Sequence, residues 1–516
     1  MIQNKKNNNF KWGKIYTILF TMFTIFSCAN LDEDPTAVNL NPSSLTSVSA
    51  LESLVTGMYR NLFNDAKWSG YFINAYGGDD ISTHRESNKV GFRESDWRTQ
   101  SVASERTIDA YRSSYLVINA ANNAINTKEN INGDKAVIDR LIGEAYFLRA
   151  FSYFHLTRTY GRVALQLVAG ATQPLPRASF EDIYAQIESD LLEAEKLLPD
   201  VYPGIPTSGA RPSKGAAKAY LAKLYLHWAG YPIKEASKYS LAAAKAKEVI
   251  NGPYSYSLAP NIRSIFTVAD RFKHREGVFT MVSCIECFNL GVSGNRTTGR
   301  LGLTPNAGGW NETYGEVAFY DDFKAAAIAE GTMKRFEDTW LNEVIPRGTK
   351  PDASNWKNFP NVADRHPMYR KIVGGNYAET VNTTSNNMNR YFMRYAEVLL
   401  IYAEASGRAG APAADAWAAL NEVHARAGAT LPLTNANGSL EELAFTERKW
   451  ELAGEYERMY DLIRMERLAN VLANRSPLED IDVWAGHGAS TNTSADNFYF
   501  TPIPQAEIDV APELIN

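Results

Sequence analysis

Cysteine is nearly missing from this chain: three residues in 516, at positions 28, 284 and 287. That excludes a disulfide-built scaffold. Histidine is scarce too, with seven residues, and none stands in an H-E-x-x-H pattern; G-x-S-x-G and Walker loops are also absent. Nothing positive points to an enzyme. There is no basic excess, 53 Lys+Arg against 58 Asp+Glu and a formal net charge of −5. The chain therefore lacks the electrostatic footprint of a nucleic-acid partner. The longest apolar run, Ile15 to Phe26, is twelve residues, short of the roughly twenty that span a bilayer. A multi-span membrane protein is excluded.

What is present is an ordinary globular composition, 45% hydrophobic and 22% charged, with room for two or three cores or one large composite fold. Aromatics reach 12%, with 27 Tyr and 10 Trp. These side chains put a polar handle on a large apolar ring, which suits binding surfaces.

The first thirty residues read as an address. Lys5, Lys6, Lys11 and Lys14 lead into the short apolar run, as in a secretory signal peptide. The run ends Ile25-Phe26-Ser27-Cys28, which resembles the lipobox of bacterial lipoproteins. The resemblance implies cleavage after residue 27, lipidation at Cys28 and a membrane held through the lipid anchor, where two or more acyl chains give durable attachment. The following Asn30-Leu31-Asp32-Glu33-Asp34 resembles an acidic surface-export signal. The expected place is the outer membrane, lipid-anchored and exposed on the cell surface.

Cys284 and Cys287 form C-x-x-C, beginning in 278–285, which reads as an apolar β-strand. On a strand, positions i and i+3 face opposite ways, so an extended segment cannot bridge them. No second pair completes a zinc site. Buried free thiols are the expectation.

Most of the remaining chain shows helical periodicity. Helices are expected over 45–64, 105–126, 134–160, 180–198, 213–228 and 235–250, then 394–408, 413–426 and 440–472. Ala145, Ala150 and Tyr153 recur as Ala217, Ala222 and Tyr225, close to two units of a tetratricopeptide repeat. The fold class is mainly α, a tetratricopeptide-like helical-repeat frame. Between 253 and 391 the texture turns loop-rich, with Trp310, Tyr314, Trp340, Trp356 and Tyr377 among Gly and Asn. Loops on a rigid frame are usual places for a site. The segment 440–472 carries Glu447, Arg448, Glu451, Glu455, Arg458, Asp461 and Arg464. It reads as one packed helix laced with pairs worth tenths of a kcal/mol each.

Sugar recognition needs flat apolar faces against pyranose C–H surfaces and short planar polar groups for hydroxyls. Two segments carry both. One runs from Trp68 and Tyr71 through Asp79 and Asp80 to Arg85 and Trp97; the other holds Asn306, Trp310, Asn311 and Tyr314. Any single Trp serves equally well as core or loop packing; loop placement raises Trp97 and Trp310 above the others. Asp79 and Asp80 are adjacent, unlike a catalytic carboxylate pair facing across a bond. No catalytic residue, metal ligand or cofactor is assigned, and a glycoside hydrolase on a helical frame is the least favoured reading.

Several segments in order resemble the SusD/RagB family of Bacteroidetes outer-membrane lipoproteins. They are Gly143-Glu144-Ala145-Tyr146-Phe147-Leu148-Arg149-Ala150 through Tyr160-Gly161, then Ile183 to Leu191, and Lys214 to Ala219. Arg394 to Leu400, Glu447-Arg448 through Arg464, and Pro502-Ile503-Pro504-Gln505 complete the series. Val510 to Leu514 departs from the Asn-Pro usual there. The resemblance implies a signal peptide over 1–27 and a SusD-like domain over 28–516. Its parts are an N-terminal helical-repeat part (28–252), a loop-rich ligand-binding part (253–391) and a C-terminal helical part (392–516). It also implies capture of an oligosaccharide ligand for a SusC-like TonB-dependent outer-membrane transporter as partner. Peptide or other nutrient binding in the same complex, RagB-like, is the alternative.

Overall fold

The computed structural model describes residues 45–515 apart from 67–71, 85–89, 105, 171–173, 203, 205–208, 287–298, 311, 345–351, 362–363, 381–384, 411 and 477–498. Thr46–Asn516 form one compact unit. The signal segment, Cys28 and the acidic stretch lie outside the described residues.

The N-terminal part is a succession of helices: α1 (Val48–Ala66), α2 (Val90–Asp96), α3 (Thr107–Thr127), α4 (Lys135–Tyr160), α5 (Phe180–Leu197), α6 (Lys214–Trp228) and α7 (Lys238–Ile250). A two-residue strand β1 (Ile81–Ser82) stands between α1 and α2. Starts coincide with capping residues. Asp134, Ser179 and Ser213 each accept a backbone N–H of the following turn, at 2.8, 3.0 and 3.3 Å. Such caps contribute about 1 kcal/mol each. From α3 to α7 each long helix packs on the next, the layering expected of helix hairpins. Small residues permit the approach: Ala145, Ala150, Ala217 and Ala222 are fully buried, and a Cβ on Gly143 would meet Leu197 Cβ at 3.0 Å. The repeated tyrosines brace these layers, Tyr153 donating to the Gln166 carbonyl at 2.6 Å and Tyr225 to the Glu188 carboxylate at 2.6 Å.

Next come β2 (Gly277–Met281), β3 (Tyr314–Gly315), α8 (Val317–Glu330), α9 (Met333–Thr339) and β4 (Arg390–Arg394). The chain then adds α10 (Tyr395–Arg408), α11 (Ala414–Arg426), α12 (Leu440–Glu451), α13 (Arg458–Arg464), α14 (Leu468–Leu472) and α15 (Gln505–Val510). Strands β2 and β4 pair antiparallel, with Thr280 opposite Tyr391. They insert Phe279 and Phe392, 5.2 Å apart, against Phe147 and Phe151 of α4. This aromatic core ties the ladder to the helical frame. Helix α10 then packs on α7, α11 and α12, so both helical parts share one layer system.

Three expectations are corrected. Strand β2 ends at Met281, before Cys284, and Cys284 is half-buried and disulfide-bonded rather than a buried thiol. Once the backbone leaves the extended form, the opposite-face argument against bridging no longer applies. Trp340 and Trp356 are fully buried around Tyr320, so they belong to a core and not to a loop surface. The expected helix 440–472 is three helices. It breaks at Gly454 (φ 75°) and Tyr456 (φ 65°), and a side chain at 454 would strike the Tyr369 ring 2.8 Å away.

That break changes the meaning of the charges. Most of them are buried and pair between elements. Arg394 of β4 reaches Glu276, Glu451 and Glu455; Arg426 of α11 reaches Glu276 and Glu451. Arg448 of α12 joins Asp461 and Glu397, and Arg464 joins Asp461 and Glu404. Burial alone would raise the Glu451 carboxyl; Arg426, Arg394, Lys371 and Arg335 hold it down to about 2. A buried network of this kind is costly to break at one member, because the partner is left charged and unpaired.

Candidate functional site

The two aromatic segments meet. β1 and β3 pair antiparallel, Ile81 opposite Gly315 and Ser82 opposite Tyr314. The Thr83 hydroxyl continues the contact by donating to the Glu312 carbonyl at 2.7 Å, 229 residues away. The Tyr76 and Thr313 hydroxyls share a further hydrogen bond. Asp96 anchors the near side: its carboxylate accepts the Thr83 N–H at 3.0 Å and Arg475 Nη1 at 2.9 Å. Since Asp96 closes α2 and Trp97 follows, this clamp fixes where the indole leaves the helix. Trp97 keeps the helical pattern, its N–H donating to the Arg93 carbonyl at 2.8 Å. Arg93 Cζ lies 5.9 Å from the indole centroid.

On the other side, a short turn at Pro305–Ala307 ends on Gly308 with φ 77°, and Asn306 is exposed. Trp310 follows with its N–H donating to the Arg300 carbonyl at 2.7 Å. Trp97 and Trp310 are both half-buried, which leaves part of each indole open to a ligand. Trp228, Trp340, Trp356 and Trp450 are buried, leaving Trp97, Trp310 and Trp417 as the tryptophans with open surface among the described residues.

Three of the expected ligand contacts are corrected. Asp79 is buried and its carboxylate is taken by Arg458, Nε at 2.7 Å and Nη2 at 3.0 Å. Burial would raise that carboxyl, and Arg458 holds it below the usual range. Asp80 is buried as well and accepts the Gly454 N–H at 3.0 Å. Desolvation and then the Asp79 charge push it up to about 6. Tyr314 is buried in β3 and lies parallel to His366, ring centroids 5.3 Å apart. All three side chains are buried, and the two carboxylates are engaged within the protein. Trp68, Tyr71, Arg85 and Asn311 lie outside the described residues. Arg93 was not singled out from sequence; the available signal was its place one helical turn before Trp97.

One cluster has metal-ligating atoms in reach of each other: Glu330, His424 and Glu447, all within 4.8 Å. Glu447 already pairs with Arg335 and with His424 Nδ1 at 3.1 Å, so a guanidinium supplies the positive charge there. Among the described residues no helix is long and apolar enough to cross a membrane.

Comparison with known proteins places the fold. The SusD family model matches residues 304–516, and a second model, described as starch-binding associating with outer membrane, matches residues 29–226. SusD-like protein P2 of Formosa agariphila is 26% identical over 515 residues, covering 95% of this chain and 96% of the relative. A SusD homolog from Bacteroides thetaiotaomicron has a similar fold, with TM-score 0.71 and 21% identity over 90% of this chain and 96% of that one. A laminarin-binding SusD-like protein is similar at TM-score 0.67 and 22% identity, over 90% and 98%. The chain belongs to the SusD/RagB family.

Proposed function

We propose that this protein is a cell-surface glycan-binding lipoprotein, anchored in the outer membrane through Cys28, which captures oligosaccharides and hands them uncut to a SusC-like TonB-dependent transporter. The observation that carries the reading is the joining of two aromatic segments at the β1–β3 ladder, with Trp97 and Trp310 half-buried beside it. The laminarin-binding protein of the same fold and the starch-binding description of the matched family support the ligand class.

A half-open indole binds a pyranose weakly. Apolar burial contributes about 25 cal/mol per Å², and sugar hydroxyls left at the rim stay hydrated. Micromolar or weaker affinity, about −8 kcal/mol or less in magnitude, suits a protein that must release its cargo. Calorimetry against laminari- and xylogluco-oligosaccharides, with product analysis after long incubation, tests capture without cleavage. Shortened products would defeat the reading. Recovery of the lipoprotein alone from a mild-detergent pull-down would remove the transporter from it.

A further inference from the structure

Strands β1 and β3 are two residues each, and a ribbon that short is marginal by itself. Thr83, the residue after β1, supplies what the ladder lacks. It is 3% exposed, and its two polar groups serve two different segments. Its N–H donates to the Asp96 carboxylate at 3.0 Å, and its hydroxyl donates to the Glu312 carbonyl at 2.7 Å. Trp97 is the next residue after Asp96, and Trp310 stands two before Glu312. Neither half-open indole is therefore rooted more than two residues of chain, about 8 Å, from a segment bonded to Thr83.

The C-terminal chain locks the same joint. Arg475 donates from Nη1 to the other Asp96 oxygen at 2.9 Å and to the Gly78 carbonyl at 3.3 Å. The N–H of the next residue, Ser476, donates to the Glu316 carboxylate at 2.6 Å. Glu316 follows β3, and its other oxygen caps α8 by accepting the Phe319 N–H at 2.6 Å. Two consecutive residues thus hold the β1 side and the β3 side at once.

We infer that Thr83 is a positioning residue for glycan capture, fixing the spacing between the Trp97 and Trp310 platforms, and that Arg475 and Ser476 brace it. The inference rests on the glycan-binding reading above and deepens it. Thr83 is buried, so its effect runs through Asp96 and Glu312. A sugar chain that lies on both indoles gains from the second only as far as their spacing allows simultaneous contact, and a spacing already fixed leaves less to order on binding. A sugar that covers one indole draws no benefit from the spacing.

Calorimetry on the full-length protein in mild detergent tests this with the disaccharide and the hexasaccharide of the laminari-, malto- and cello-oligosaccharide series. In at least one series the hexasaccharide should bind about tenfold or more tightly than the disaccharide. Thr83→Val keeps the shape and the N–H and removes the hydroxyl; it should cut that ratio about fivefold or more. Thr83→Ser, which keeps the hydroxyl, should recover most of it. In a Trp310→Ala background Thr83→Val should change the ratio no further, because one platform alone needs no spacing. Melting curves certify the fold, and Thr83→Ala removes the same hydroxyl should the valine not be accommodated. A merely structural threonine would weaken both probes alike, and a ratio that survives loss of the hydroxyl would overturn the role given to Thr83. Equal affinity of the parent for both chain lengths would overturn this inference and leave glycan binding standing. No binding in any series would overturn the glycan-binding reading and this inference with it.

Discussion

The Asp79 carboxylate and the Arg458 guanidinium meet through two hydrogen bonds, at 2.7 and 3.0 Å, across 379 residues of chain. The pair is almost completely buried and fastens the loop before β1 to the start of α13. Lys449 stands 3.9 Å from the same carboxylate and is the weaker second partner.

Arg458→Met should therefore destabilise the protein by about 3–5 kcal/mol, since it leaves a buried carboxylate without its main counter-charge. Urea denaturation reads this directly. Adding Asp79→Leu to that variant should restore part of the loss. A cost below about 1 kcal/mol for Arg458→Met would show that the pair is not sealed from solvent.

Asp80 makes stability depend on pH in the opposite sense to an ordinary ion-paired acid. Burial and then Asp79 push its carboxyl up to about 6, against about 3.9 in an unfolded chain. Between those values the folded protein holds more protons than the unfolded one, so stability falls as pH rises from about 4 to 6, and the penalty is complete above that. Its size is on the order of 3 kcal/mol. Asp80→Asn keeps an acceptor for the Gly454 N–H and removes the titration. The melting temperature of the variant relative to the parent should rise by several degrees between pH 4.5 and 7.5. Using the difference cancels any packing cost of the new amide; a constant difference would remove Asp80 as the cause.

Trp97→Ala and Trp310→Ala should each weaken glycan binding by roughly 1–3 kcal/mol and leave the fold intact. Trp340→Ala should do the reverse, costing about 3–5 kcal/mol of stability, because its ring is fully buried against Tyr369 at 4.2 Å. Calorimetry and melting curves on the three variants separate the roles. Unchanged affinity in both Trp97→Ala and Trp310→Ala would discard this site.

Cys28→Ala should release the protein from membranes, and protease added to intact cells should degrade the unaltered chain. Fractionation and immunoblotting check both. Full protection in intact cells would refute surface exposure.

The helical frame was legible because its periodic apolar residues, its caps at Asp134, Ser179 and Ser213, and its small residues at Ala145 and Ala217 act locally. The break after Glu451 was not. Its cause is Gly454 lying against Tyr369, a contact made by distant chain. The charges of 447–464 follow helical spacing, which hides that their partners include Arg394, Arg426 and Glu397 on other elements. At the site, residue type and loop placement pointed to Trp97 and Trp310, and both are half-buried in the structure. Those two cues could not tell that Asp79 and Asp80 turn inward, because Arg458 and the Gly454 amide become their partners only when the chain is folded.

The buried charges also bear on the order in which the chain can close. Arg158 in α4 and Lys223 in α6 sit deep among the first helices, yet their acids, Glu457 and Glu397, arrive from the last third of the sequence. A nascent chain that stopped short of Glu397 would have to enclose two cations without either of these acids, a cost of several kcal/mol for each ion. The N-terminal helices consequently gain little by settling early. Full neutralisation of these buried cations therefore waits on the last third of the chain.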